Sequence, residues 1–192
     1  MPARAAKAAV AKDRDPFSAA LAMLARRPRS VAELRRALEK KFPGHAANED
    51  AIARLRSLGY LNDKKFAELV ASSLARNKSF GRFRVRRELK ARLVDYRHIE
   101  PAIEEAYEET DERELLARTL ERKIRTIKRP VTAARLSSLC QSLLRRGFAA
   151  DAIMKAVRAR PELKPVADNV DLTEISTDTE ESSPQRRRDT EK

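Results

Sequence analysis

The sequence predicts an all-α protein made of three tandem three-helix repeats. Three observations predict it. Only 4 of 192 residues are Gly, too few for the turns of a many-stranded sheet protein; Ala, Leu, Arg, Lys and Glu dominate; and apolar residues recur at helical spacing in nine segments bounded by capping residues and breakers.

Phe17, Leu21 and Leu24 lead the first helix, which stops near Pro28. Ser30-Val-Ala-Glu33 reads as a capping box opening the second, with Leu34 and Leu38 on its apolar face. Asn48, followed by Glu49 and Asp50 where the helix dipole favours acids, is expected to cap the third, carrying Ile52, Leu55 and Leu58 up to Gly59. Asp63 is expected to cap the fourth, with Phe66, Val70 and Leu74; Gly81 precedes the fifth, with Val85 and Leu89; Ile99, Ala102 and Ile103 mark the sixth. The seventh opens at Asp111-Glu-Arg-Glu114 and runs through Leu116, Leu120, Ile124 and Ile127 to Pro130. Thr132 caps the eighth, with Leu136, Leu139 and Leu143, and Gly147 separates it from a ninth with Ile153, Ala156 and Val157.

The nine segments group by threes. Phe17 and Leu21 answer to Phe66 and Val70, Leu34 and Leu38 to Val85 and Leu89, and the series from Val85 to Ile103 to that from Leu139 to Val157. The expected repeats span 16–61, 62–110 and 111–160. Each is too small to bury its apolar face alone, so stacking into an elongated, curved rod is expected. A flexible extension, 1–15, and a disordered acidic tail, 161–192, flank them; the tail combines Pro, Ser, Thr and acids with few large apolar residues.

Charge distribution is the functional signal. Residues 161–192 hold nine acids and five bases, and residues 1–15 four bases and two acids, so residues 16–160 carry +15 of a net +13. A basic folded part fits an acidic partner, nucleic acid or nucleoprotein. The seventh helix places Arg118, Arg122, Arg125 and Arg129 opposite Leu116, Leu120, Ile124 and Ile127. The fifth places Arg84, Arg87 and Lys90 opposite Val85 and Leu89, and Lys123, Lys128, Arg145 and Arg146 enlarge the field. For any one of these residues, a solvated helix face is an equally good account; the collective excess is not so easily explained. Aromatics are scarce and no base-reading helix is evident, so contact with nucleic acid would be phosphate-driven and salt-sensitive.

Catalysis finds little support. The sequence has no Gly-rich phosphate loop, no H-E-x-x-H and no G-x-S-x-G. Cys140 falls among Leu136, Leu139 and Leu143 as a core filler, His98 reads as a boundary residue, and pairs such as Glu104-Glu105 read as solvated surface. One cysteine and two distant histidines argue against a metal site, and neither a membrane span nor a signal peptide is apparent. The expectation is a monomeric, cytoplasmic binding protein without a cofactor.

Three blocks, Arg27-Pro28-x-Ser30-x-x-Glu33-Leu34, Leu58-Gly59-Tyr60-Leu61-Asn62-Asp63-x-x-Phe66-Ala67, and Gly81 with Glu88-Leu89-Lys90, together resemble the RecX family of regulators of the RecA recombinase. The resemblance spans about 17–158 and implies tandem three-helix repeats and a non-enzymatic regulator. Such a protein would lie in the groove of the RecA filament on single-stranded DNA, bind double-stranded DNA weakly, and restrain filament growth, ATP hydrolysis and strand exchange. Where the family has glycine closing the second helix of a repeat, the second repeat here has Leu93; a left-handed helix end costs a non-glycine residue about 1 kcal/mol, so another turn is expected there. Two readings stand beside this one: a DNA binder acting without a recombinase, and a protein scaffold indifferent to DNA. Residues 168–181, six acids and no base, are expected to fold back on the basic face and compete with the partner.

Overall fold

A computed structural model describes residues 15–167, which form ten helices and no strand. The expected N-terminal extension, but for Asp15, and the tail beyond Ala167 lie outside the described residues. The chain divides into two compact units, with the boundary in the sequence between Leu115 and Leu116.

The first unit holds two repeats. Helices α1 (Pro16–Arg26), α2 (Val31–Lys41) and α3 (Ala47–Ser57) pack on one another around Ala19, Ala20, Leu34, Leu38, Ile52 and Leu55. In α1 the small residues face inward, leaving Phe17, Leu21 and Leu24 half-buried at the margin. Helices α4 (Asp63–Lys78), α5 (Arg82–Ala91) and α6 (Tyr96–Glu108) repeat the arrangement. The 16-residue α4 buries Phe66, Ala67, Val70, Ala71 and Ala75, a face small enough for α6 to approach closely with Ile99, Ala102, Ile103 and Ala106.

Local chemistry differs from the sequence expectation at three caps. Ser30 does cap α2, accepting from the Glu33 amide at 3.1 Å, but the Glu33 carboxylate takes the Arg27 guanidinium with both oxygens, at 3.2 Å each, instead of closing a capping box. Asn48 does not cap α3: it lies one residue inside that helix, buried, and its amide donates to the Phe42 carbonyl at 2.8 Å, closing the end of α2. Asn62, not Asp63, caps α4 by accepting from the Lys65 amide at 3.1 Å, and Asp63 accepts from the Val31 amide at 2.8 Å. Asp63 thus supports the start of α2 from the next repeat. Ser30, fully buried, reinforces that joint by donating its hydroxyl to the Arg92 carbonyl at 2.6 Å.

Leu93 overturns another expectation. It adopts the left-handed conformation, φ 57°, after α5, with the Val94 amide donating to the Leu89 carbonyl at 3.2 Å and its own amide to Lys90 at 2.9 Å. The end of α8 repeats this pair of bonds, Phe148 to Leu143 at 3.3 Å and Gly147 to Leu144 at 2.8 Å, with Gly147 at φ 86°. Burial of the next residue, Val94 or Phe148, favours the same turn in both places, so leucine occupies a glycine geometry.

The second unit contains most of α7 (Glu112–Ile124), then α8 (Ala133–Arg145), α9 (Ala150–Arg158) and a short α10 (Lys164–Ala167). Leu120, Leu136, Leu143, Ile153 and Leu163 are among its fully buried side chains. The fold therefore continues past the expected boundary at residue 160: α10 packs on α8 and α9, and Ala167 is as buried as Leu163.

Candidate binding surface

Among the described residues, those from 116 to 167 concentrate the positive charge. Between Leu116 and Ala167 the sequence has thirteen Lys and Arg against three acids, Glu121, Asp151 and Glu162; residues 15–115 have twenty-one against seventeen. In the first unit several bases are matched by acids: Arg35–Glu49 at 2.6 Å, Arg86–Glu100 at 2.6 Å, Arg82–Glu112 at 3.2 Å and Arg76–Glu109. In the second, one carboxylate, Glu121, receives two arginines, Arg160 at 2.7 Å and Arg125 at 3.4 Å.

The expected four-arginine stripe is not one helix face. α7 ends at Ile124, six residues before Pro130, because the chain turns: the Thr126 hydroxyl donates to the Lys123 carbonyl at 2.8 Å and the Ile127 amide to Ile124 at 3.1 Å. The β-branched run Ile124, Thr126 and Ile127 and the approaching proline both disfavour another helical turn. Arg118 and Arg122 therefore lie on α7, Arg125 on the turn after it and Arg129 in the connecting loop, all exposed.

That loop is fixed from α8. Thr132 caps α8 by accepting from the Arg135 amide at 3.4 Å, and the Arg135 guanidinium donates to the carbonyls of Lys128 at 3.0 Å and Pro130 at 2.7 Å. A cleft of about 330 Å³ results, lined by Lys123, Lys128, Arg135 and Arg145 with the hydroxyl residues Thr126, Ser138 and Ser142. Burial, followed by the nearby guanidiniums of Arg146, Arg122 and Arg145, pushes the Lys123 ammonium below its ordinary pKa. Four cations converging so closely raise one another's energy, and an anion placed among them would relieve it. Across α7, Arg118, Arg122, Arg125 and Arg160 line a second cleft with Glu121.

On α5, Arg87 and Lys90 are exposed, whereas Arg84 is half-buried, paired with Glu88 at 2.5 Å and stacked over Phe80 at 5.4 Å. The faces of α5 and α7 belong to different units. Sequence reasoning missed Arg135 and Arg160. The signal for both was available in the charge count of the window 116–167, which helix-by-helix projection leaves out.

Cys140 is buried and its thiol is pushed up by that burial, as a core position requires; His45 accepts from the Ala47 amide at 3.2 Å through Nδ1. Among the described residues no group of His, Cys, Asp and Glu is arranged to hold a metal ion, and no helix is long and apolar enough to cross a membrane.

Comparison with known proteins agrees with the repeat architecture. The family model for the first three-helix domain of RecX matches residues 17–55 and that for the second matches residues 62–103. The chain is 31% identical over 140 residues to the regulatory protein RecX of Trichlorobacter lovleyi, spanning 72% of this chain and 91% of that one. It is 33% identical over 140 residues to its counterpart in Chlorobaculum tepidum, spanning 72% and 84%. The crystal structure of RecX from Lactobacillus salivarius superposes with a TM-score of 0.65 at 21% identity, over 78% of this chain and 97% of the other. The matched helices, their order and the identity over nearly the full length of these relatives together place this chain in the RecX family of regulatory proteins.

Proposed function

We propose that the chain is a non-enzymatic, negative regulator of the RecA recombinase that binds the RecA filament and restrains its extension, ATP hydrolysis and strand exchange. The observation that carries this reading is the charge asymmetry of residues 116–167, with thirteen bases and three acids. Arg118, Arg122, Arg125, Arg129, Arg145 and Arg146 engage the filament and the single-stranded DNA within it, with Lys123 among them; Arg87 and Lys90, and Arg84 once released from Glu88, add contacts from α5. Many weak charge contacts along a polymer sum to useful affinity while each remains sensitive to salt.

The test reverses Arg122 and Arg145 together to Glu and measures inhibition of DNA-dependent ATP hydrolysis by RecA. Inhibition should then need at least about ten times more protein, since each lost charge-assisted contact is worth about 1 kcal/mol or more. Unchanged inhibition by a folded variant removes this surface from the mechanism. Co-sedimentation with RecA filaments, compared with binding to bare single-stranded DNA at matched salt, separates the regulator from a plain DNA binder, for which the two affinities are comparable. Binding to RecA without nucleotide or DNA marks a scaffold.

The acidic segment 168–181 competes for the same cations in this reading. Removing it requires a cut after Ala167, because a cut after Arg160 also removes Leu163 and Ala167 from the core. Tighter filament binding by the 1–167 chain at low salt is the expected result; equal binding refutes competition.

A further inference from the structure

The first unit carries a surface of a different kind. An open groove of about 430 Å³ lies between the outer face of α1 (Leu21, Leu24), the turn joining α3 to α4 (Tyr60) and the start of α4 (Phe66, Leu69). It is largely apolar, and two of its large residues face solvent, Tyr60 64% and Leu69 58% exposed. The helix end at Tyr60 shows why this is unusual within the molecule. The Tyr60 amide donates to the Leu55 carbonyl at 3.0 Å and the Gly59 amide to Arg56 at 3.0 Å, the same pair of bonds that ends α5 and α8. There the following apolar residue, Val94 or Phe148, turns into the core; here the tyrosine turns out.

The charged residues lining the groove are of one sign. Arg29 and Lys65 line it and no carboxylate does. An apolar floor bordered by cations fits an apolar segment that carries acids.

We propose that this groove is the protein-contacting site of the chain, and that it takes an apolar segment flanked by Asp or Glu on the surface of a RecA protomer. The inference rests on the functional reading above and deepens it. The apolar groove of the first unit grips the recombinase, and the cations of the second unit meet the phosphates. Leu69 and Tyr60 supply the apolar contact, and Arg29 and Lys65 select the acids.

The test uses the full chain and RecA filaments on single-stranded DNA. A variant carrying Leu69→Lys and Tyr60→Ser should keep the wild-type unfolding midpoint, since both side chains are mostly exposed, and bind filaments at least tenfold more weakly. Its affinity for bare single-stranded DNA should not change. Lys65→Glu should weaken filament binding about threefold, and raised salt should shrink that difference. Unaltered filament affinity in the double variant overturns the proposal while leaving the regulator reading intact. Tighter binding by Lys65→Glu overturns the choice of an acidic partner. If the wild-type chain forms a dimer that the double variant does not, the groove is a self-interface and the proposal fails. If the wild-type chain does not bind filaments at all, the functional reading fails and takes the groove's assignment with it.

Discussion

At Ser30 one hydroxyl does two jobs. As acceptor it caps α2 through the Glu33 amide, and as donor it satisfies the Arg92 carbonyl of the next repeat at 2.6 Å. Ser30→Ala removes the cap and leaves a partly buried carbonyl unpaired, so we expect a loss of about 1–3 kcal/mol, read from urea unfolding of the full chain. The pair Arg86–Glu100 makes a pH-dependent contribution. Hydrogen bonds from Arg86, 2.6 Å to each oxygen, hold the Glu100 carboxyl below its ordinary value of 4.5 against the opposing effect of burial. A carboxyl lowered in the folded state adds stability above its unfolded value, and that stability is lost as pH falls through the lowered one. Glu100→Gln should therefore reduce stability at pH 7 and flatten the decline between about pH 5 and 3, measured by thermal unfolding across that range. The residue-scale surprises have one cause. Ser30, Asn48 and Asp63 all have side chains suited to capping, and the sequence cannot say whether the nearest helix end or one from another segment will claim them.

At the scale of elements, periodicity located every one of the nine expected helices, because apolar spacing is a local property that tertiary packing reinforces. It failed where competing signals were nonlocal or weak. The length of α7 was overestimated, since Ile127 continues the apolar pattern although the backbone has already turned. The tenth helix was missed because four residues carry no period. The helix end at Leu93 was misjudged by its composition: the buried Val94 and the two turn hydrogen bonds outweigh the left-handed cost. Gly147→Ala tests the same geometry from the other side. It should cost about 1–2 kcal/mol in equilibrium unfolding, because alanine at φ 86° meets the steric cost that glycine avoids.

For the molecule as a whole, the family and the three-helix repeats were legible in the sequence, because capping, glycine and apolar residues recur in a fixed order. The proposed surfaces were legible only in part. The cations of α7 and α8 could be named from the sequence, but their gathering around Lys123 depends on the loop that Arg135 holds. The groove at Tyr60 and Leu69 left no trace, since two exposed apolar residues look like core until a fold leaves them outside. The boundary of the second unit is testable directly. A chain ending at Arg160 should be about 2–4 kcal/mol less stable than one ending at Ala167, through the absence of Leu163 and its neighbours.

The uneven allotment of charge gives the two halves different responses to salt. Between residues 116 and 167, thirteen bases against three acids repel one another in pure water, and added ions screen that repulsion. Residues 15–115, with twenty-one against seventeen and several of them paired, gain little from screening and lose some attraction. Raising sodium chloride from about 20 to 500 mM should slow amide exchange in α8 and α9 while leaving that of α2 and α5 unchanged or faster. Brine should then firm one half of the molecule and leave the other no firmer.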